Sequence, residues 1–391
     1  MSIIEFAERK LGPPRSPESL GAEHAALDVR IGLSFDHTNI ESREKEFFLV
    51  AWHMRLAYVV PENREFIHSG YSSEPILAEA AARLLNREVY SVYPIRPFIA
   101  SKGPEILYAA YRANLLARDE RAETVARLLM TIAHDSVIMK ENPPFVAAAV
   151  FHWPIHLLDF LRHLFHEKYH DVVLDTKPVM AGTNSKTLRE AFENAYISFS
   201  HFSSAGDVEA TKRGKIHKLL LRGLALHCTH TQNSIDMAIP VFFGDPKNDQ
   251  ISEENTSVLQ VRIMNRKTRG IPWVDPDVVL IPKEGTPVLS LFLELGTEEC
   301  GVEMVSEDSS AGSWDQPNEH HYLVASYGCS SRTFSAIPRV CDYTYLQMLA
   351  SSQITSDLNR PTLMESVKMV YCLLFYLFAS KGELQPWDWA D

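Results

Sequence analysis

The chain has 391 residues, 46% of them hydrophobic and 23% charged, with a formal net charge of −12. That balance belongs to a globular chain too long for one ordinary core, and it excludes a protein that coats nucleic acid through its whole surface. Five cysteines (Cys228, Cys300, Cys329, Cys341 and Cys372) form no CxxC pair. They read as free thiols of a reducing intracellular compartment, cytoplasm or nucleus, rather than as a disulfide framework or zinc knuckle.

Residues 1 to about 25 are Pro-rich and polar and read as a loose leader, with charges at Glu5, Glu8, Arg9 and Lys10 where a signal peptide needs an apolar run. From about 28 to 70 the pattern, including Phe47–Tyr58, fits neither period cleanly. EPILAEAAARLL, over 74–85, predicts a helix with Pro75 in its first turn, and helical patterns continue over Pro104–Leu116 and Arg121–Ile132 until Pro143 and Pro144 break the run. Further helices are predicted over Ile155–Lys168, Thr187–Phe199 and Val208–Leu224. After Cys228 the composition turns β-rich, with strands predicted at Ser234–Phe243, Ser257–Met264, Pro287–Leu295 and Tyr322–Tyr327. A mostly apolar helix over Pro361–Ser380 closes the chain. Its longest apolar run, Met369–Ala379, is well short of the roughly 20 residues that span a bilayer, so no membrane partner is expected.

Helices first and strands later imply an α+β or mixed α/β fold, a helical N-terminal region followed by a small mixed sheet flanked by helices. The divisions fall at 1–70 (leader and short elements), 71–205 (helical region) and 206–391 (α/β core with a C-terminal helix).

Several motifs are missing: there is no GxxxxGK[ST], no GxGxxG after a strand and no GxSxG. His166-Glu167-Lys168-Tyr169-His170 is an HExxH string. On a helix it would put two imidazoles four residues apart on one face, and Glu190 would be the third zinc ligand of a hydrolase. The competing reading is a solvated helix end, because DVVLDTKP follows directly.

The second constellation is Asp236 in one predicted strand and Gln260-Val261-Arg262 in the next. Side by side, Asp236 and the Gln260 side-chain oxygen would hold Mg²⁺ against a phosphate, with Glu209 a further acidic ligand. Arg262 lies on the same strand face as Gln260, where it would stabilise transition-state charge. Basic residues gather around this pair: Lys212, Arg213, Lys215, Lys218 and Arg222 before it, and Arg266, Lys267 and Arg269 after it. They form a candidate phosphate track. The bland alternative makes Asp236 a turn cap, Gln260 an ordinary strand residue and the cations a solvated face.

The segments SEPILAEAAARLL, TLREAFENAYISFSHF, LLRGLALHCTHTQNSIDMAIPVFF, VLQVRIMNRKT, TPVLSLFLELGT and HYLVASYGCSS together resemble a largely uncharacterised family of mushroom-forming fungi. Its members look like the C-terminal part of Crinkler-type proteins, with a PD-(D/E)XK nuclease-like core. The resemblance implies a restriction-endonuclease-like sheet and a Mg²⁺-dependent, nucleic-acid-directed activity, with Asp236 and Gln260 as ligands. Arg262 stands where the family's motif has Lys, and arginine stays protonated and cannot act as a base. A degenerate nuclease, or an inactive interaction module on the same fold with unknown protein partners, is therefore implied beside the active enzyme.

Overall fold

The computed structural model describes residues 2–12, 20–62, 66–86, 102–141, 150–182, 185–204, 216–228, 235–275, 280, 282–306 and 320–350. The predicted helix at 361–380 lies outside them, as do Glu209, Lys212, Arg213 and Lys215.

The N-terminal part is helical, with α1 (Ile3–Leu11), α2 (Leu20–Ile31) and α3 (Ile40–Trp52) preceding a ribbon of β1 (Leu56–Val59) and β2 (His68–Gly70). The loose leader expected over 1–25 is thus corrected. Ser2 and Glu5 form a reciprocal capping box that starts α1, and Leu11 is fully buried. Next come α4 (Pro75–Asn86), α5 (Gly103–Arg112) and α6 (Arg121–Glu141), all foreseen in the sequence. Arg30 of α2 forks onto Asp135 of α6 at 3.0 and 2.7 Å, and Asn86 of α4 donates to the same carboxylate at 3.0 Å. One buried ion pair so ties three helices together.

The sheet follows: β3 (Ile155–His156), α7 (Leu157–Leu164), α8 (His170–Leu174), α9 (Leu188–Ala191), β4 (Ala195–Ile197), β5 (His201–Ser204), α10 (Ile216–Leu221), β6 (Leu224–His227), β7 (Met237–Phe243), β8 (Thr256–Met264), β9 (Val288–Glu294), β10 (Gly301–Met304), β11 (His321–Tyr327) and a closing α11 (Asp342–Leu349). Three predicted helices are shorter than their patterns. The one at 155–168 stops at Leu164, because Phe165 turns extended and stacks on Phe334 at 5.8 Å. The one at 187–199 survives as a single capped turn, since Ala195–Ile197 pairs with β7 instead. Gly223, at φ +57°, ends α10 and lets Leu224 enter a strand.

The sheet runs β10-β11-β9-β8-β7-β4-β3, with β6 also on β7 and β5 beside β6. The β11–β9 and β9–β8 pairs are parallel, and β8–β7 and β7–β6 antiparallel. Along its outer edge β7 changes partner, from β6 at Met237 and Ala238 to β4 at Val241–Phe243. Pro240, which has no N–H to donate, sits in that gap. β8, β9 and β11 are covered on both faces, hence their near-continuous apolar composition. Leu259, Val261 and Ile263 face the larger core shared with the helices, and Val258 faces the smaller one with Ala238, Phe292 and Leu323. By the two-residue strand period, Gln260 and Arg262 belong to the smaller-core side.

Candidate functional site

Asp236 immediately precedes β7, and its backbone extends the ladder by one residue. Its N–H donates to the Val261 carbonyl at 2.9 Å and its own carbonyl accepts from the Cys228 N–H at 2.8 Å. Met237 pairs with Val261 and Ala238 with Gln260, so Asp236 lies just beyond the paired register, next to the end of β8 that carries Gln260 and Arg262. The carboxylate Oδ2 accepts from the Ile263 N–H at 2.6 Å, which does the work of a ladder bond where the strands part.

Gln260 is fully buried. Its Oε1 accepts from the Ser290 hydroxyl at 3.3 Å, and the Ser290 oxygen lies 2.9 Å from His321 Nε2. Since the Ser290 proton goes to Gln260, His321 must donate through Nε2. The three side chains form a polar chain across β8, β9 and β11 inside an otherwise apolar layer. Burial drives the His321 imidazole down to about 3, so it is neutral.

Arg262 is half-buried. Its guanidinium lies over the Trp273 ring at 5.3 Å and donates to the Trp273 carbonyl at 3.4 Å. Burial lowers its pKa from the ordinary guanidinium value, and the Asp236 charge opposes that shift. Glu123, in the first turn of α6, is raised above the usual carboxylate range by burial and then by the charge of Asp236. Its Oε2 is buried without a hydrogen-bond partner. Burial also pushes the Cys228 thiol up to about 12, with Asp236 adding to the shift, so this cysteine is no thiolate nucleophile.

The cations divide into two groups. Arg266 donates from Nε to the fully buried Glu294 at 2.8 Å, and Glu294 also accepts from the Gly270 N–H at 2.6 Å. Arg269 pairs with Glu303 and lies 3.9 Å over the Tyr327 ring. Lys218 and Arg222, on and just after α10, are exposed, as is Lys267. α10 packs its Ile216 into the smaller core, which leaves its cations on its solvent side.

The zinc alternative is corrected by the backbone. His166 is extended and caps a short 3₁₀ turn over Glu167–Tyr169, accepting from the Lys168 N–H at 3.3 Å. His170 begins α8, and its Nε2 lies 3.0 and 3.1 Å from the carbonyls of Arg162 and Phe165. Glu190 is exposed and closes a capping box with Thr187. The string is not one helical face, and each side chain serves local structure. Among the described residues no three His, Cys, Asp or Glu side chains form a metal-holding group.

Glu123 and Trp273 were not singled out in the sequence. An acid in a helix's first turn is ordinary dipole complementation, which hides Glu123. Trp273 sits among prolines with no periodic pattern. No protein-family model, curated protein or solved structure matches the chain.

Proposed function

We propose that the chain is a nucleic-acid-binding protein built on a PD-(D/E)XK-like, restriction-endonuclease-like core whose nuclease centre is degenerate. The observation that carries this reading is the position of Asp236 at the start of β7, hydrogen-bonded to the backbone of β8 at Val261 and Ile263, on either side of the basic Arg262 and next to Gln260, in a chain whose α10 region carries exposed cations. Placing Asp and Gln-x-basic in that arrangement is what the PD-(D/E)XK resemblance implies.

Mg²⁺ fits the acidic side of this site. Glu123 is raised first by burial and further by the charge of Asp236, and it leaves a buried oxygen unpartnered. One or two carboxylates completed by waters and phosphate is the donor set Mg²⁺ prefers. A bound Mg²⁺ supplies Lewis-acid polarisation of a phosphate oxygen. Asp236 and Glu123 would hold it, and Arg262, kept in place by Trp273, would stabilise charge on the phosphate. The missing part is a base. Arg262 cannot accept a proton, and Gln260 is sealed from solvent by its bond to Ser290. Loss of a well-placed base typically costs about 10²–10⁴ in rate, so binding outlasts cleavage.

The burial of Gln260 also favours a second reading, an interaction module on this fold with no nuclease chemistry. The free thiols among Cys228, Cys300, Cys329 and Cys341 support an intracellular setting, cytoplasm or nucleus. No described helix is long and apolar enough to cross a membrane. The test is Mg²⁺-dependent cleavage of single- and double-stranded DNA and RNA by the wild type, Asp236→Ala and Arg262→Lys. Weak cleavage that Asp236→Ala abolishes and Arg262→Lys raises supports the degenerate nuclease. Absence of cleavage in all three proteins, Arg262→Lys included, favours the interaction module.

A further inference from the structure

Away from the Asp236 site, a serine hydroxyl is seated against a buried imidazole. His201, in β5, is held at both ring nitrogens: Nδ1 lies 2.9 Å from the Ser200 hydroxyl and Nε2 lies 2.8 Å from the Ser73 hydroxyl. The proton positions follow from a third bond. Ser200 Oγ donates its one hydrogen to the Gly223 carbonyl at 3.2 Å, so toward His201 it can only accept, and Nδ1 carries the ring proton. Nε2 is then the acceptor, and the Ser73 hydroxyl donates to it. A serine whose proton already points at a neutral base is the arrangement that activates a nucleophile.

The surroundings hold that geometry. The Ser200 N–H donates to the same Gly223 carbonyl at 2.7 Å, and at Gly223, with φ +57°, a Cβ would lie 3.2 Å from Ser200 Oγ. Burial, with the Arg30 charge adding to it, drives the His201 imidazole down to about 4, so it is neutral near pH 7 and a weak base. Ser73 itself is half-buried, between the exposed Ser72 and Glu74. Helix α4 begins two residues after it. The Ala78 N–H bonds back to the Glu74 carbonyl at 3.0 Å, so the Ile76 and Leu77 amides before it have no intrahelical carbonyl to meet. The positive end of the helix dipole therefore follows Ser73 directly, and an acyl oxyanion needs that charge.

We propose that Ser73 and His201 form an acyl-transfer dyad, with Ser200 as its positioning residue, that hydrolyses neutral carboxylic esters through an acyl-Ser73 intermediate. Ser73 Oγ attacks the ester carbonyl carbon as its proton passes to His201 Nε2. The alkoxide leaves and takes that proton, departing as the alcohol. Water then attacks the acyl-serine and gives a proton to Nε2, which returns it to Ser73 Oγ as the carboxylic acid leaves. A neutral ester is the class that fits, because Glu74 adjoins Ser73 and a chain of net charge −12 repels anionic substrates. Ile76, 40% exposed on the first turn of α4, offers apolar surface nearby in the chain. Arg30 disfavours the imidazolium that each step needs, so turnover is slow and covalent capture is the sharper readout. None of these residues belongs to the Asp236 site.

The test is labelling of the full chain with a fluorophosphonate, which traps a nucleophilic serine as its phosphonate ester with loss of fluoride, read by peptide mass mapping. Ser73 should carry the label, and its exposed neighbour Ser72, the internal control, should not. With p-nitrophenyl acetate an initial burst of p-nitrophenol is expected as the acyl-serine accumulates, and Ser73→Ala should abolish it. His201→Gln should slow labelling of Ser73 at least about tenfold. Ser200→Ala should also slow it, while leaving the probe concentration for half-maximal rate unchanged, since Ser200 orients the ring without touching the probe. Mapping of the wild type needs no variant, so it decides the matter even where a substitution disturbs folding. No label on Ser73, a label shared equally with Ser72, or labelling unmoved by both His201→Gln and Ser200→Ala would overturn the proposal.

Discussion

Lowering the pH from 7 to 5 should destabilise the protein steeply through two buried imidazoles. Burial drives His321 from 6.5 to about 3, and His201 from 6.5 to about 4, with the Arg30 charge adding to the second shift. His201 is held between the Ser200 hydroxyl at 2.9 Å and the Ser73 hydroxyl at 2.8 Å, and His321 against Ser290. Both are neutral in the fold. Between the folded and unfolded pKa the unfolded chain binds a proton that the native state does not, so stability is present above 6.5 and lost as pH falls. At pH 5 each site contributes a loss of about 2 kcal/mol, about 4 kcal/mol together, a large part of the stability of an ordinary domain. Urea unfolding at the two pH values, followed by tryptophan fluorescence, measures it. His321→Gln, which keeps a donor toward Ser290, should be less stable at pH 7 yet lose roughly half of the pH dependence. Equal stability at both pH values, or an unchanged slope in the variant, would refute the burial argument.

Three further outcomes follow from the same geometry. Asp135→Ala leaves the Arg30 guanidinium buried without its bidentate partner and should cost about 3–5 kcal/mol in chemical denaturation. Arg266→Ala, by stranding the buried Glu294, should cost about 2 kcal/mol while leaving nucleic-acid affinity nearly unchanged, because that cation serves the fold. Mg²⁺ should raise the melting temperature of the wild type, more at pH 8 than at pH 5, since Glu123 must lose its proton to join Asp236 on the ion. Glu123→Gln should remove that response; a thermal-shift series with and without EDTA checks it.

The α+β class and the four longest strands could be read from the sequence, because β7, β8, β9 and β11 are covered on both faces and carry dense apolar runs. The neighbourhood of Asp236 and Gln260 was legible for the same reason, two consecutive strands joined by a polar loop. The short strands were not. Ala195–Ile197 lies inside a stretch whose local pattern is helical and Leu224–His227 starts at the last residue of another, and their pairing with β7 is a tertiary choice that overrides propensity. HExxH misled in the opposite way, since the residue types match a zinc helix while Phe165 and His166 are extended. What each cation does was also invisible. Arg266 and Lys267 are neighbours in sequence, yet Arg266 reaches Glu294 while Lys267 stays exposed.

The central claim is that the Asp236 site and the exposed cations Lys218, Arg222 and Lys267 bind nucleic-acid phosphate. The most direct measurement is affinity for single- and double-stranded oligonucleotides against salt, for the wild type and the triple variant Lys218→Ala, Arg222→Ala, Lys267→Ala. Counterion release predicts detectable binding at low salt and a linear fall of log affinity with log salt, with the variant's slope shallower by roughly 2–3 for the contacts removed. Wild-type binding that is absent at low salt, or a slope the three substitutions leave unchanged, would contradict the account.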